Sequence, residues 1–208
     1  MLSRRLLLQA GAALSGLSLS GCGVLPNVSK PLDLYTLKPQ IAFDQPLPKV
    51  TWQLVVAEPV AERDVNTTRI ALTRAPNSIE YFAKGNWTDT APALVQAKLI
   101  EAFEATDSIV AVGRDASGLK PDFILQSDLR DFQAEFSGAV GAPESAPNIH
   151  VRLIAKLVQM PERRIVRSVS AEQSIAAVSN TVPAVVIAFE QALSAVLKTV
   201  VQGTLDQS

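Results

Sequence analysis

The chain has 208 residues, with 19 Lys and Arg against 20 Asp and Glu, and its net charge is −1 with a single histidine. That balance excludes the basic footprint of a nucleic-acid-binding protein, and a single cysteine excludes an internal disulfide framework. One histidine and one cysteine are also too few for a zinc site, so no metal or cofactor is expected.

The first 23 residues have the order of a sorting signal. Arg4 and Arg5 form a positive start, and residues 6–19 follow without a charge, long enough for the apolar core of a signal peptide. The run falls short of the roughly 20 residues a membrane-spanning helix needs. It ends in Leu19-Ser20-Gly21-Cys22, the lipobox pattern of an apolar residue, two small residues and a cysteine whose thiol accepts a diacylglyceryl group. A buried helix with Cys22 as a small core residue is the competing reading, but it leaves the agreement of charge, apolar run and small residues unexplained. Ser3-Arg4-Arg5-Leu6 is compatible with both the twin-arginine and the general secretion routes. Residues 1–21 are therefore expected to be a signal peptide and 22–31 a lipidated tether rich in Gly, Pro and Ser. Residues 32–208 are expected to form one domain, and the mature chain keeps 17 basic against 20 acidic residues.

Along that domain, residues 33–37 alternate polar and apolar as a half-buried strand does, and the spacing of Val50, Trp52, Leu54 and Val56 predicts a second strand over 50–57. Strands over 69–73 and 78–82, joined by Ala75-Pro76-Asn77-Ser78, predict a hairpin. A helix is expected over 91–105, capped by Thr90, with Pro92 in the first turn where no donor is missed. A short strand follows at 109–112, then long strands at 122–136, 149–159 and 164–175, the last two connected through Pro161-Glu162-Arg163. Val182, Val185, Phe189, Leu193, Val196 and Val200 lie on one stripe of a final helix over 182–202, capped by Asn180 or Thr181. Helices that follow groups of strands predict an α+β fold: a mainly antiparallel sheet with two helices on one face. The shared Thr-x-Pro-Ala opening of both helices reflects common capping chemistry in preference to a repeat.

Titratable groups for catalysis are scarce. His150 falls on the polar side of its strand and is expected to be a solvated surface residue, because a general base would need a nucleophile and an orienting partner. Gly113 to Lys120 departs from a P-loop where Leu119 separates Gly118 from Lys120 and Pro121 replaces the hydroxyl residue. Ser117-Gly118-Leu119-Lys120 matches one of three penicillin-binding motifs, and the other two are missing from the sequence. Asn66-Thr67-Thr68 and Asn86-Trp87-Thr88 are incidental glycosylation sequons.

Leu34-Tyr35-Thr36-Leu37, Arg69-Ile70-Ala71-Leu72, Asn77 to Phe82, Asn86-Trp87-Thr88-Asp89, Asp122-Phe123-Ile124-Leu125 and Asp131-Phe132 together resemble the ABC-type transport auxiliary lipoproteins. These are encoded beside mammalian-cell-entry (MCE) lipid transporters and include the paraquat-inducible lipoprotein. The resemblance implies a non-enzymatic periplasmic component of an ABC-driven lipid transport system, with an MCE-domain protein as its partner and the membrane held through N-terminal acyl chains. The alternative function is an envelope assembly or scaffold lipoprotein that binds a protein or polysaccharide and moves no lipid. Lys84-Gly85-Asn86-Trp87 and Asp89-Thr90-Ala91-Pro92 preserve the family's pattern around the tryptophan only loosely. Tyr81, Trp87 and Asp89 are the candidate partner-contact residues, although packing against the sheet is the stronger expectation for the two aromatics. Self-association into a homo-oligomer is left open. Gly23 occupies the position where an aspartate would retain a lipoprotein in the inner membrane under enteric-type sorting, so the outer membrane is favoured. Because Cys22 is both acceptor and cleavage marker, Cys22→Ala is expected to abolish acylation and accumulate uncleaved precursor. Intact-mass measurement of membrane fractions checks this, and an unlipidated protein beginning at residue 22 would contradict the lipobox reading.

Overall fold

The computed structural model describes residues 32–75, 77–115, 118, 120–137 and 145–206. The signal segment with Arg4, Arg5, Leu19, Ser20 and Gly21, the lipidation site Cys22 and the tether lie outside these residues, as do Ser117 and Leu119 of the Ser-x-x-Lys fragment. Eleven elements follow in chain order: β1 (Asp33–Tyr35), β2 (Gln53–Val56), β3 (Val60–Ala61), β4 (Arg69–Thr73), β5 (Glu80–Trp87), α1 (Ala91–Glu104), β6 (Ala111–Gly113), β7 (Phe123–Glu135), β8 (Asn148–Gln159), β9 (Arg164–Ala176) and α2 (Val182–Leu205). The α+β expectation holds, with a nine-stranded sheet and two helices.

The sheet is mixed. Its long ladders, β7 with β8 and β8 with β9, are antiparallel, as is the β4–β5 hairpin. The short pairings of β1 with β5, and of β2, β3 and β4 with β7, are parallel, as is β2 with β6. One edge of β7 is therefore paired with β8 throughout, and the other edge is shared among three short strands.

Alternation along the long strands sets the two faces. In β8, Ile149, Val151, Leu153, Ala155 and Leu157 point into the core. In β7 the inward set is Leu125, Ser127 and Leu129, then Phe132 and Ala134, because the register shifts between Leu129 and Asp131. An extra residue in one strand turns the following side chains over. Here it restores Phe132 opposite Val151 and Ala134 opposite Ile149 on the apolar side.

Both helices contribute to the same core cluster, α1 through Val95, Leu99 and Phe103 and α2 through Val185, Phe189, Leu193, Val196, Leu197 and Val200. Helix α2 is long and apolar enough to cross a membrane. Its apolar stripe is nevertheless buried on β8 and β9, and a buried core helix meets the same length and hydropathy criteria. At the centre, Trp87, Phe132 and Phe189 pack ring on ring, with centroids 4.7 to 5.8 Å apart.

Three expectations need correction. Thr90 and Thr181 occupy the N-cap positions, but neither hydroxyl bonds the first amides. The Ala91 amide instead donates to the Thr67 carbonyl, and the Thr181 hydroxyl pairs with that of Ser179. Strand β5 runs from Glu80 to Trp87, past the expected end at residue 82, so Tyr81 and Trp87 belong to one strand. The first strand is shorter than the alternation of residues 33–37 implies, ending at Tyr35. The two-residue β3 has no periodicity to reveal it, because pairing with β7 alone defines it.

Phe189 is fully buried and touches both other rings. Phe189→Ala should lower unfolding stability by about 3–5 kcal/mol, the usual range for truncating a buried aromatic. Ile187→Ala on the exposed side of α2 should stay within about 0.5 kcal/mol. Urea unfolding of the two variants checks this, and equal midpoints would show that the aromatic cluster does not hold helix to sheet.

Candidate functional site

The face of β7, β8 and β9 turned away from the helices carries the domain's main charge network. His150 sits in the middle strand with its side chain about 20% exposed. Its Nδ1 lies 3.2 Å from Oε1 of Glu135 on β7, and its Nε2 lies 2.8 Å from Oε1 of Glu172 on β9. The other Glu172 oxygen faces Arg152 Nε at 3.6 Å, and Gln133 donates to Glu135 at 3.1 Å. Further along, Lys156 Nζ donates to Asp128 at 3.2 Å, with Arg130 on the same carboxylate at 3.9 Å.

The pairing explains this arrangement. His150 is directly opposite Gln133 and Ser174, while Glu135 and Glu172 are one step along the ladder, opposite Asn148 and Arg152. Such diagonal neighbours are within reach of long side chains. The expectation of a freely solvated histidine therefore gives way to a residue clamped across three strands. Glu135 and Glu172 are site residues that the sequence conceals, because their proximity to His150 depends on two strand registers.

A carboxylate at each ring nitrogen is best satisfied when both nitrogens carry hydrogen, so the geometry calls for the imidazolium. Burial, the largest single influence on His150, lowers its pKa. The hydrogen bond to Glu172, the charge of Asp131, and the hydrogen bond and charge of Glu135 outweigh it and raise the pKa above 6.5. With a carboxylate on each ring nitrogen, His150 ties β7, β8 and β9 together. Among the described residues, no group of three or more His, Cys, Asp and Glu is arranged to hold a metal.

The three candidate contact residues do not form one site. Trp87 is 2% exposed within the aromatic core, so it is a packing residue and cannot serve as a surface anchor. Tyr81 is half-buried, its hydroxyl donating to the Asp64 carbonyl at 3.3 Å and its ring covered by the Arg69 guanidinium at 3.8 Å. Asp89 is exposed and accepts the Thr90 amide at 2.7 Å. Tyr81 also borders a groove of about 640 Å³ between β1, the β4–β5 hairpin and the start of α2, with Tyr35, Phe82 and Val182 among its walls. Gly85 lies where Tyr35 and Val182 converge, and a Cβ there would stand 2.8 and 2.9 Å from those side chains. Their approach depends on the missing side chain.

Because the folded-state pKa of His150 is raised, its stabilising contribution is fully present below the unfolded value near 6.5 and is lost as pH rises through the folded value. For a partly exposed pair the contribution should be below about 1 kcal/mol. Urea unfolding at several pH values should show the stability difference between the wild type and His150→Gln shrinking from pH 6 to pH 9. A difference that does not change with pH would rule out the imidazolium clamp.

The family model for the ABC-type transport auxiliary lipoprotein component matches residues 35–201. The crystal structure of XCC0632 from Xanthomonas campestris, a DUF330 protein, is similar at TM-score 0.75 and 30% identity, over 83% of this chain and 94% of that one. A second crystal structure, of an uncharacterized protein, matches at TM-score 0.62 and 9% identity over 82% and 96% of the two chains, a likeness of fold alone. No curated protein matches the chain. The family match runs from β1 well into α2, the same span that builds the sheet and its helical cover, and on that basis the chain belongs to the ABC-type transport auxiliary lipoprotein family.

Proposed function

We propose that this protein is a non-catalytic binding or bridging subunit of an ABC-driven lipid transporter of the MCE type. It is cleaved before Cys22 and held on the periplasmic side of a membrane, with the outer membrane favoured, by acyl chains on that cysteine. Family membership over residues 35–201 is the observation that carries the reading. The histidine chemistry supports it, since the domain's single histidine is occupied in tying strands together.

The anchor limits how the domain can reach its partner. Residues 23–31 separate Cys22 from the first described residue, and an extended chain of that length spans at most about 30 Å. Such a tether is too short to cross a periplasm. Contact between an outer-membrane-anchored domain and an inner-membrane ATPase would therefore run through an MCE-domain protein extending toward it. With Trp87 buried, Tyr81 and Asp89 are the candidate contact residues that remain at the surface.

Photo-crosslinking in intact cells from positions 81 and 89 is expected to capture an MCE-domain protein. Capture of unrelated envelope proteins alone, with lipid distribution unchanged on deletion, would replace the transport reading with that of an envelope scaffold.

A further inference from the structure

Strand directions show which end of the domain meets the tether. β1 is parallel to β5, β5 is antiparallel to β4, and β4 is parallel to β7, so β1 runs opposite to β7. The chain therefore enters at the end where β7 finishes and β8 begins. Two other connections lie at that end: the β4–β5 turn, since Thr73 pairs with Glu135, and the β9–α2 link, since Ala176 pairs with Asn148. A single groove bordered by Asp33, Glu80 and Asn180 places the three segments side by side. The β8–β9 hairpin, with cis Met160–Pro161 and Arg163 in the left-handed region, is at the opposite end, where Phe123 pairs with Gln159. A thirteen-residue strand spans roughly 43 Å between the two.

Each of the three segments at the tether end exposes an aliphatic side chain. Leu32 is 50% exposed at the chain entry, Ile79 39% in the hairpin turn and Val178 90% in the link to α2, and Leu34 is 67% exposed beside Leu32. We infer that this end of the domain docks on the surface of the membrane that holds the acyl anchor, inserting Leu32, Ile79 and Val178 among the lipid headgroups. The inference rests on the lipid-anchor reading of Cys22.

The tether supports this occupant over any other. Nine residues span at most about 30 Å even when fully extended, so the entry end of the domain stays within that distance of the anchored cysteine. Tethering converts weak apolar contacts into an intramolecular event at high effective concentration. Aliphatic side chains at an interface settle about 5–10 Å deep, at the boundary of headgroups and acyl chains. The hairpin end also exposes aliphatics, Ile165 and Val166, but they lie a strand's length from the point where the tether enters. Docking by the tether end would hold the β8–β9 hairpin and its arginines away from the bilayer, facing the periplasm.

The test uses the full acylated chain in vesicles of phosphatidylethanolamine and phosphatidylglycerol. Acylation blocks Cys22, the sole native cysteine, so Ile79→Cys, Val178→Cys and Glu162→Cys each give one reactive thiol for an environment-sensitive fluorophore. Probes at 79 and 178 should be blue-shifted and quenched by lipids spin-labelled near the headgroup at least about twofold more than the probe at 162. Unquenched probes at 79 and 178 on a chain that carries its acyl mass and floats with vesicles would overturn the docking alone, and would be the result for an end that faces a protein. Quenching strongest at 162 would reverse the orientation. A chain without acyl mass at residue 22 would remove the anchor and the docking together.

Discussion

Every strand of this domain reaches the sheet through β7. A strand of thirteen residues has two rows of backbone donors and acceptors to satisfy, and the domain's architecture depends on how they are paired. One row is taken by β8 along its whole length, and the other is divided among β2, β3 and β4. β9 is added through β8, β6 through β2, and β5 with β1 through β4. Buried backbone groups left unpaired are costly. Of the short strands, β3 is held by that pairing alone, whereas β2 and β4 also place Leu54, Val56, Ile70 and Leu72 in the core.

The bulge in β7 reconciles that pairing with a single core. Without it, the side chains after Leu129 would alternate in the wrong phase, sending Phe132 to the solvent face and breaking the cluster with Trp87 and Phe189. With it, one sheet face is mainly apolar, Ser127 apart, and receives α1 and α2, while the other collects Asp128, Glu135, His150, Arg152, Lys156 and Glu172. The pairs formed there are mostly half-exposed and individually weak. The His150 clamp differs in spanning three strands at once, so its protonation ties the edge strand β9 to the centre of the sheet.

His150, Glu135, Glu172, Asp128 and Lys156 are engaged with each other on the sheet face, and groups of exposed aliphatic side chains lie at the ends of the sheet. At one end the chain enters beside a groove and exposed aliphatic residues; at the other a hairpin presents arginines. A domain built on one long antiparallel ladder keeps these ends a fixed distance apart. Membership of the transport auxiliary family gives that geometry its context.

The sequence alone determined the features that arise from local periodicity or from linear order. The α2 stripe, the three long strands, the hairpin at Pro161-Glu162-Arg163 and the α+β class follow from hydrophobic spacing and turn chemistry, which act over a few residues. The family resemblance was likewise legible as short strings. Tertiary structure alone decided the parallel pairings, the existence of β3, the inward turn of Trp87 and the partners of His150. Each depends on which strands become neighbours and in which register, and a shift of one residue exchanges a strand's two faces. Trp87 shows the limit most clearly: its size favours packing over an exposed anchor, but only the extension of β5 shows that it meets Phe132 and Phe189.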